Sequence, residues 1–188
     1  VFQAWALLEK DQGNVERARE LFQRAAADPK HAPVFQAWAL LEKDQGNVER
    51  ARELFQQAAQ ADPKHAPVFQ AWALLEAQQG RPQATRRILE DGLQRVRAPR
   101  GRALLLSTLG GLLARQNDLP QAEEYFRQAL KLNERDPLTH YHFAVQVLLR
   151  SGRRDEACRH LRRALELRPR KARDRRRIEQ ALQKHCNP

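Results

Sequence analysis

Apolar side chains recur at helical spacing from the first residues onward. Phe2, Trp5, Ala6 and Leu8 form one stripe, and Val15, Ala18, Leu21, Phe22 and Ala25 form a second. Both follow the three- and four-residue steps of an amphipathic helix. Gly13 falls between them and tolerates the positive φ at which a helix stops. Asn14 is placed to cap the second helix, and Glu16 to sit at its positive end. Asp28-Pro29 closes that helix, because a residue before proline disfavours helical ψ. Lys30-His31-Ala32-Pro33 then links onward. Two helices joined by so short a turn run antiparallel.

The pattern repeats. Val1–Gln23 recurs letter for letter as Val34–Gln56, and VFQAWALLE opens a third unit at Val68–Glu76. Two divergent units follow, and the same turn chemistry returns at Gly46-Asn47, Gly80-Arg81-Pro82, Asn117-Asp118-Leu119-Pro120 and Ser151-Gly152. One hairpin cannot bury both of its faces, so a period near 34 residues predicts a stack sharing a continuous core. The expected fold is all-α, a right-handed superhelical α-solenoid of about five helix–turn–helix repeats with a C-terminal capping helix. The units run over about 1–33, 34–67, 68–101, 102–137 and 138–169, and residues 170–188 form a basic cap. In that cap Ile178, Ala181, Leu182 and Cys186 make a narrow apolar stripe, with Arg173, Arg177 and Lys184 on another side. The fifth unit is one residue long before Gly152.

Several residues carry a resemblance to the tetratricopeptide repeat superfamily over residues 1–169. They are Leu109-Gly110, Ala122, Phe126, Ala129, Leu130 and Leu132, then Phe143-Ala144, Glu156-Ala157, Leu161, Ala164-Leu165, Leu167 and Pro169. The first three units also resemble the narrower half-a-tetratricopeptide (HAT) repeat. Phe2, Trp5, Glu9, Gly13, Ala18-Arg19 and Ala25 match it, as do Phe35, Trp38, Glu42, Gly46, Ala51-Arg52 and Ala58. In the third unit Phe69, Trp72, Glu76 and Gly80 match, beside the departures Thr85-Arg86 and Gly92. The superfamily implies a groove that holds a peptide or helix of a partner. The narrower resemblance implies RNA processing or transcript stabilisation, of the kind organellar proteins perform. The compartment so implied is intracellular and reducing, cytoplasmic or organellar (the chloroplast stroma in a plant or alga).

Glu9/Arg19, Glu42/Arg52 and Glu76/Arg86 occur together in the first three units, whereas units four and five have Leu113/Glu123 and Leu148/Cys158. Joint loss is expected of a charge pair in which neither member is tolerated buried alone. Each pair is read as a contact between the two helices of one repeat.

No 18-residue apolar run is present, so no membrane span is expected, and no signal-peptide pattern opens the chain. The chain starts mid-repeat at Val1, which reads as a piece of something longer. With only two cysteines, Cys158 and Cys186, neither a disulfide framework nor a four-ligand zinc site is expected. Cys158 falls on an apolar repeat position, as a small core residue. His140 and His142 alternate on a helix, a poor metal pair, and His160 stands too far along the chain to help. No phosphate-cradling loop, nucleophile elbow or HExxH is present. Neither an enzyme, a metal nor a cofactor is expected.

Charge marks the candidate binding surface. Residues 135–188 hold 15 Lys+Arg against 6 Asp+Glu and carry +9 of the +11 net charge. Arg170, Lys171, Arg173, Arg175, Arg176 and Arg177 are the densest cluster, suited to single-stranded RNA or to an acidic protein. A second row comprises Gln3, Lys10, Gln36, Lys43 and Gln70. Gln3 and Lys10 lie seven residues apart and so share a helix face, which the family resemblance implies is the concave one. Two partners therefore stand open: single-stranded RNA at the basic end, or a peptide or helix of a protein in the groove. Val1, Phe2 and Trp5 lack the neighbour that a stack supplies, which predicts end-to-end self-association or fraying.

Overall fold

The computed structural model describes residues 2–27 and 31–186. Val1 and the linker residues Asp28, Pro29 and Lys30 lie outside the described residues. Eleven α-helices, and no strand, are found among the described residues. They are grouped in two compact units, residues 1–97 and 98–188.

The first unit is three helical hairpins: α1 (Phe2–Asp11) with α2 (Val15–Ala25), α3 (Ala32–Asp44) with α4 (Val48–Ala61), and α5 (Ala66–Gln78) with α6 (Pro82–Arg95). Gly13, Gly46 and Gly80 take φ of +83°, +80° and +69° at the three turns, a region that costs a Cβ-bearing residue steric strain. Ala32-Pro33 does not form a linker; it is the first turn of α3, where a proline loses no hydrogen bond. Asn14 and Asn47 precede α2 and α4, yet neither side chain caps its helix. Their amides donate elsewhere, as described below.

The second unit pairs α7 (Pro99–Arg115) with α8 (Leu119–Leu132), and α9 (Pro137–Phe143) with α10 (Arg154–Glu166), and closes on α11 (Ala172–Cys186). Asn117 replaces glycine at the first turn, with φ +67°. Asp118 and Asp136 do cap their helices, accepting from the backbone N–H of Gln121 and of Thr139. The extra residue of the fifth repeat is absorbed by a π-helical turn at Ala144–Leu148, which continues α9. Phe143, Ala144, Val147 and Leu148 thereby all stay buried. Gly110 lets α7 approach α8: a Cβ there would lie 3.0 Å from the Phe126 ring and 3.1 Å from the Ala122 carbonyl.

The core lies between hairpins. Phe22, Phe55, Phe69, Phe126 and Phe143 are wholly buried. Phe22 of α2 stacks on Trp38 of α3 with centroids 6.5 Å apart, and Phe126 of α8 on Phe143 of α9 at 5.7 Å. Each ring of one repeat thus fills the next repeat's first helix.

Candidate functional site: charge fasteners and a cationic loop edge

The paired charges of the first unit are present, but they join neighbouring repeats. Arg19 on α2 forks onto Glu42 on α3, with both contacts at 2.8 Å. Arg52 on α4 forks onto Glu76 on α5 at 2.6 and 3.1 Å. The expected partners within one repeat, Glu9 with Arg19 and Glu42 with Arg52, are not the ones made. The reason is local. Inside the first two repeats the carboxylate is already held by the tryptophan four residues before it and the asparagine after the turn. Trp38 Nε1 and Asn47 Nδ2 reach Glu42 at 3.0 and 2.7 Å, and Trp5 and Asn14 do the same for Glu9 at 2.9 and 2.8 Å. The second helix's guanidinium points outward, toward the following repeat. Glu42 and Glu76 are buried, and the guanidinium of Arg19, foremost, holds the Glu42 carboxyl down at about 2. Arg86 bonds Glu90 on its own helix at 2.8 Å.

Where this pairing ends in the sequence, another network takes over. In the second unit Arg153 reaches Glu123 at 2.7 Å and Glu156 at 2.5 Å, and Arg127 reaches Glu156 at 3.2 Å, joining α8 to α10.

The predicted row along the first helices is partly self-satisfied. Lys10 and Lys43 lie 3.3 and 3.4 Å from the Asp44 carboxylate, and Gln36 Oε1 meets His65 Nε2 at 3.2 Å. Gln3 and Gln70 lie half-buried on α1 and α5.

The arginine cluster divides. Arg173, Arg175, Arg176 and Arg177 stand exposed along α11, with Arg173 3.8 Å from Asp174. Arg170 and Lys171 lie on the loop before α11 and join residues that the sequence reading had not singled out. A cavity of about 530 Å³ is lined by Arg135, Arg168, Arg170 and Lys171 together with Asp136 and Asp174. A second, of about 540 Å³, is lined by Arg100, Lys131 and Arg135 with Glu134. Arg135 belongs to both. These six cations are exposed, and none makes an ion pair among the described residues. The signal was in the sequence: a basic residue follows or closely precedes the boundary proline at Pro99-Arg100, Arg135-Asp136-Pro137 and Pro169-Arg170-Lys171.

Two further features were missed. His160 is not isolated: its Nδ1 lies 2.8 Å from Nδ1 of His140, and His140 Nε2 lies 2.9 Å from the Glu134 carbonyl. A carbonyl only accepts, so His140 donates from Nε2 and accepts at Nδ1 from His160. This pair anchors the loop that carries Arg135. Desolvation by burial lowers both imidazoles, His160 to about 4. Helical geometry explains the oversight, since the partner comes from a different helix, α10. The second feature is a disulfide between Cys158 and Cys186, read from sequence as a small core residue and a member of the cap's apolar stripe. The antiparallel pair α10 and α11 brings them together across 28 residues. Among the described residues no group of three or more His, Cys, Asp or Glu is placed to hold a metal, and no helix is long and apolar enough to cross a membrane.

No curated protein sequence matches the chain. Among solved structures, the chain is similar to PilF of Pseudomonas aeruginosa, at 22% identity and a TM-score of 0.72, covering 97% of this chain and 83% of that one. It is similar to TTC0263, a tetratricopeptide protein of Thermus thermophilus, at 23% identity and 0.72, covering 97% of each. It is also similar to YrrB, described as a tetratricopeptide protein with an unusual peptide-binding site, at 16% identity and 0.59, covering 97% and 90%. The tetratricopeptide repeat family model matches residues 1–170, and with that match the chain belongs to the tetratricopeptide repeat family.

Proposed function

We propose that this chain is a non-enzymatic helical-repeat scaffold that holds a protein partner, and that an acidic peptide or helix of that partner lies along the cationic loop edge of the second unit. The observation that carries this reading is the row of six cations without carboxylate partners, beside two cavities that share Arg135. Arginines such as Arg19, Arg52, Arg127 and Arg153 are tied to glutamates, whereas the loop edge carries charge that no carboxylate meets among the described residues, set beside cavities that the exposed arginines of α11 do not line. The family match and a neighbour described by its peptide-binding site support a protein partner. Single-stranded RNA on the arginines of α11 is the competing reading, and neither the family nor these neighbours lends it support.

Fluorescence anisotropy with a labelled glutamate-rich peptide and a labelled single-stranded RNA tests the choice. The peptide is expected to bind saturably at low salt, and Arg135→Glu with Arg168→Glu to weaken it about tenfold, a little over 1 kcal/mol. Binding of RNA in preference, with a log–log salt slope near −3 from four or five phosphates at about 0.7 each, would move the function to nucleic acid.

A further inference from the structure

The two cavities of the loop edge are built from matching parts of successive repeats. Pro99 opens α7 beside the first, and Pro137 opens α9 beside the second. Leu132 lines the first and Leu167 the second, and each is followed three residues later by a lining arginine, Arg135 or Arg170. Arg135 closes one cavity and opens the next. Exposed cations stand on both rims, Arg100 and Lys131 at the first, Arg168 and Lys171 at the second.

The carboxylates nearby do not neutralise these rims. Asp136 caps α9, accepting from the backbone N–H and the hydroxyl of Thr139. Asp174 is buried and lies 3.8 Å from Arg173. At the first cavity the side chain of Glu134 faces the combined charge of Arg100, Lys131 and Arg135. Each cavity thus keeps a net positive rim beside an apolar wall, which suits one carboxylate of a ligand.

Spacing then selects the ligand. Helix α7 packs against α9, and packed helices lie about 8–10 Å apart, so cavities one repeat apart are separated by a similar distance. A polyproline II chain completes a turn in three residues and rises about 9 Å in doing so. Same-face side chains of a β-strand fall about 7 or 13 Å apart. An α-helix reaches about 10 Å only over seven residues, and a helix that short must be ordered on binding, whereas polyproline II is already formed. Given an acidic protein partner, on which this inference rests, we propose that the loop edge takes an extended, proline-bearing segment with two glutamates three residues apart. One carboxylate enters each cavity, and the residues between them cross Arg135.

A set of labelled peptides, each with two glutamates separated by one, two or four prolines, serves as a ruler. Fluorescence anisotropy at low salt measures their binding to the intact chain. Glu-Pro-Pro-Glu is expected to bind about tenfold more tightly than the shorter or longer spacing, because it alone engages both cavities at once. Arg100→Glu with Lys131→Glu disables the first cavity, and Arg168→Glu with Lys171→Glu the second. Either pair is expected to make the three peptides bind alike, through the cavity that is left. Arg24→Glu with Arg87→Glu, an equal change of charge at exposed positions of the first unit, should leave the preference intact. All these side chains are exposed, and circular dichroism checks each fold. Equal binding of the three peptides to the unaltered chain overturns the register and leaves the acidic partner standing. A preference that survives both pairs of changes, or tighter binding of a stapled helix with glutamates seven residues apart, overturns it too. If none of the peptides binds, the acidic partner falls, and this inference with it.

Discussion

Arg19 and Glu42 show what one side chain can settle in a repeat array. The buried carboxylate receives Trp38, Asn47 and both arms of the guanidinium. Removing the arginine alone leaves a desolvated charge, the costly half of a broken pair. Arg19→Gln is expected to destabilise by roughly 2–3 kcal/mol, below the usual 3–5 for a buried pair, because the arginine side chain is 28% exposed and water screens it. Replacing both residues by leucine should restore most of that loss. Urea unfolding monitored by tryptophan fluorescence measures both, and a loss under about half a kcal/mol for Arg19→Gln would discard the role. The residue types of this fastener were legible in the repeats, and the partner was not. Co-occurrence within a unit cannot say whether a side chain points to its own hairpin or the next, and the Trp38 and Asn47 contacts that occupy the near side of Glu42 are visible only in three dimensions.

At the scale of elements, α11 is tied to α10 covalently as well as by packing. Ile178 is wholly buried, and Arg154 donates to the His185 carbonyl at 2.5 Å. The Cys158–Cys186 bond closes a loop of 28 residues, whose closure entropy is worth roughly 3–4 kcal/mol. Reduction is therefore expected to lower the stability of the second unit by up to that amount and to raise hydrogen exchange along α11 first. Cys186→Ser should reproduce both effects. Free thiols in the unreduced protein, or identical exchange before and after reduction, would show that packing alone holds this helix. Hairpins, turn glycines and the capping role of α11 followed from the apolar stripes, because a tight turn admits few geometries. The π-helical turn is the physical answer to one surplus residue in the fifth repeat, which the sequence flagged only as a length mismatch.

For the whole molecule, the two units respond to acid through different groups. The His140–His160 pair belongs to the second unit, and burial depresses both imidazoles, so the folded state disfavours their protonation. The unfolded chain takes up protons first, so this contribution is intact above about pH 6.5 and is lost as pH falls through about 4. In the first unit Glu42 is depressed to about 2, so its contribution is intact above about pH 4.5 and is lost as pH falls through about 2. The second unit is expected to loosen at higher pH than the first. Tryptophans 5, 38 and 72 report the first unit and tyrosines 125 and 141 the second, so near-ultraviolet circular dichroism separates them. Coincident tryptophan and tyrosine transitions would refute the ordering.

The direction of the fasteners has a bearing on how such an array grows. An arginine that reaches forward, and a glutamate that receives from behind, make every copied unit complementary to its own template at both junctions. A duplication of one repeat, in frame, therefore adds a new junction already furnished with its ion pair and its stacked ring. Letter-for-letter copies such as Val1–Gln23 and Val34–Gln56 can be kept side by side with no compensating substitution.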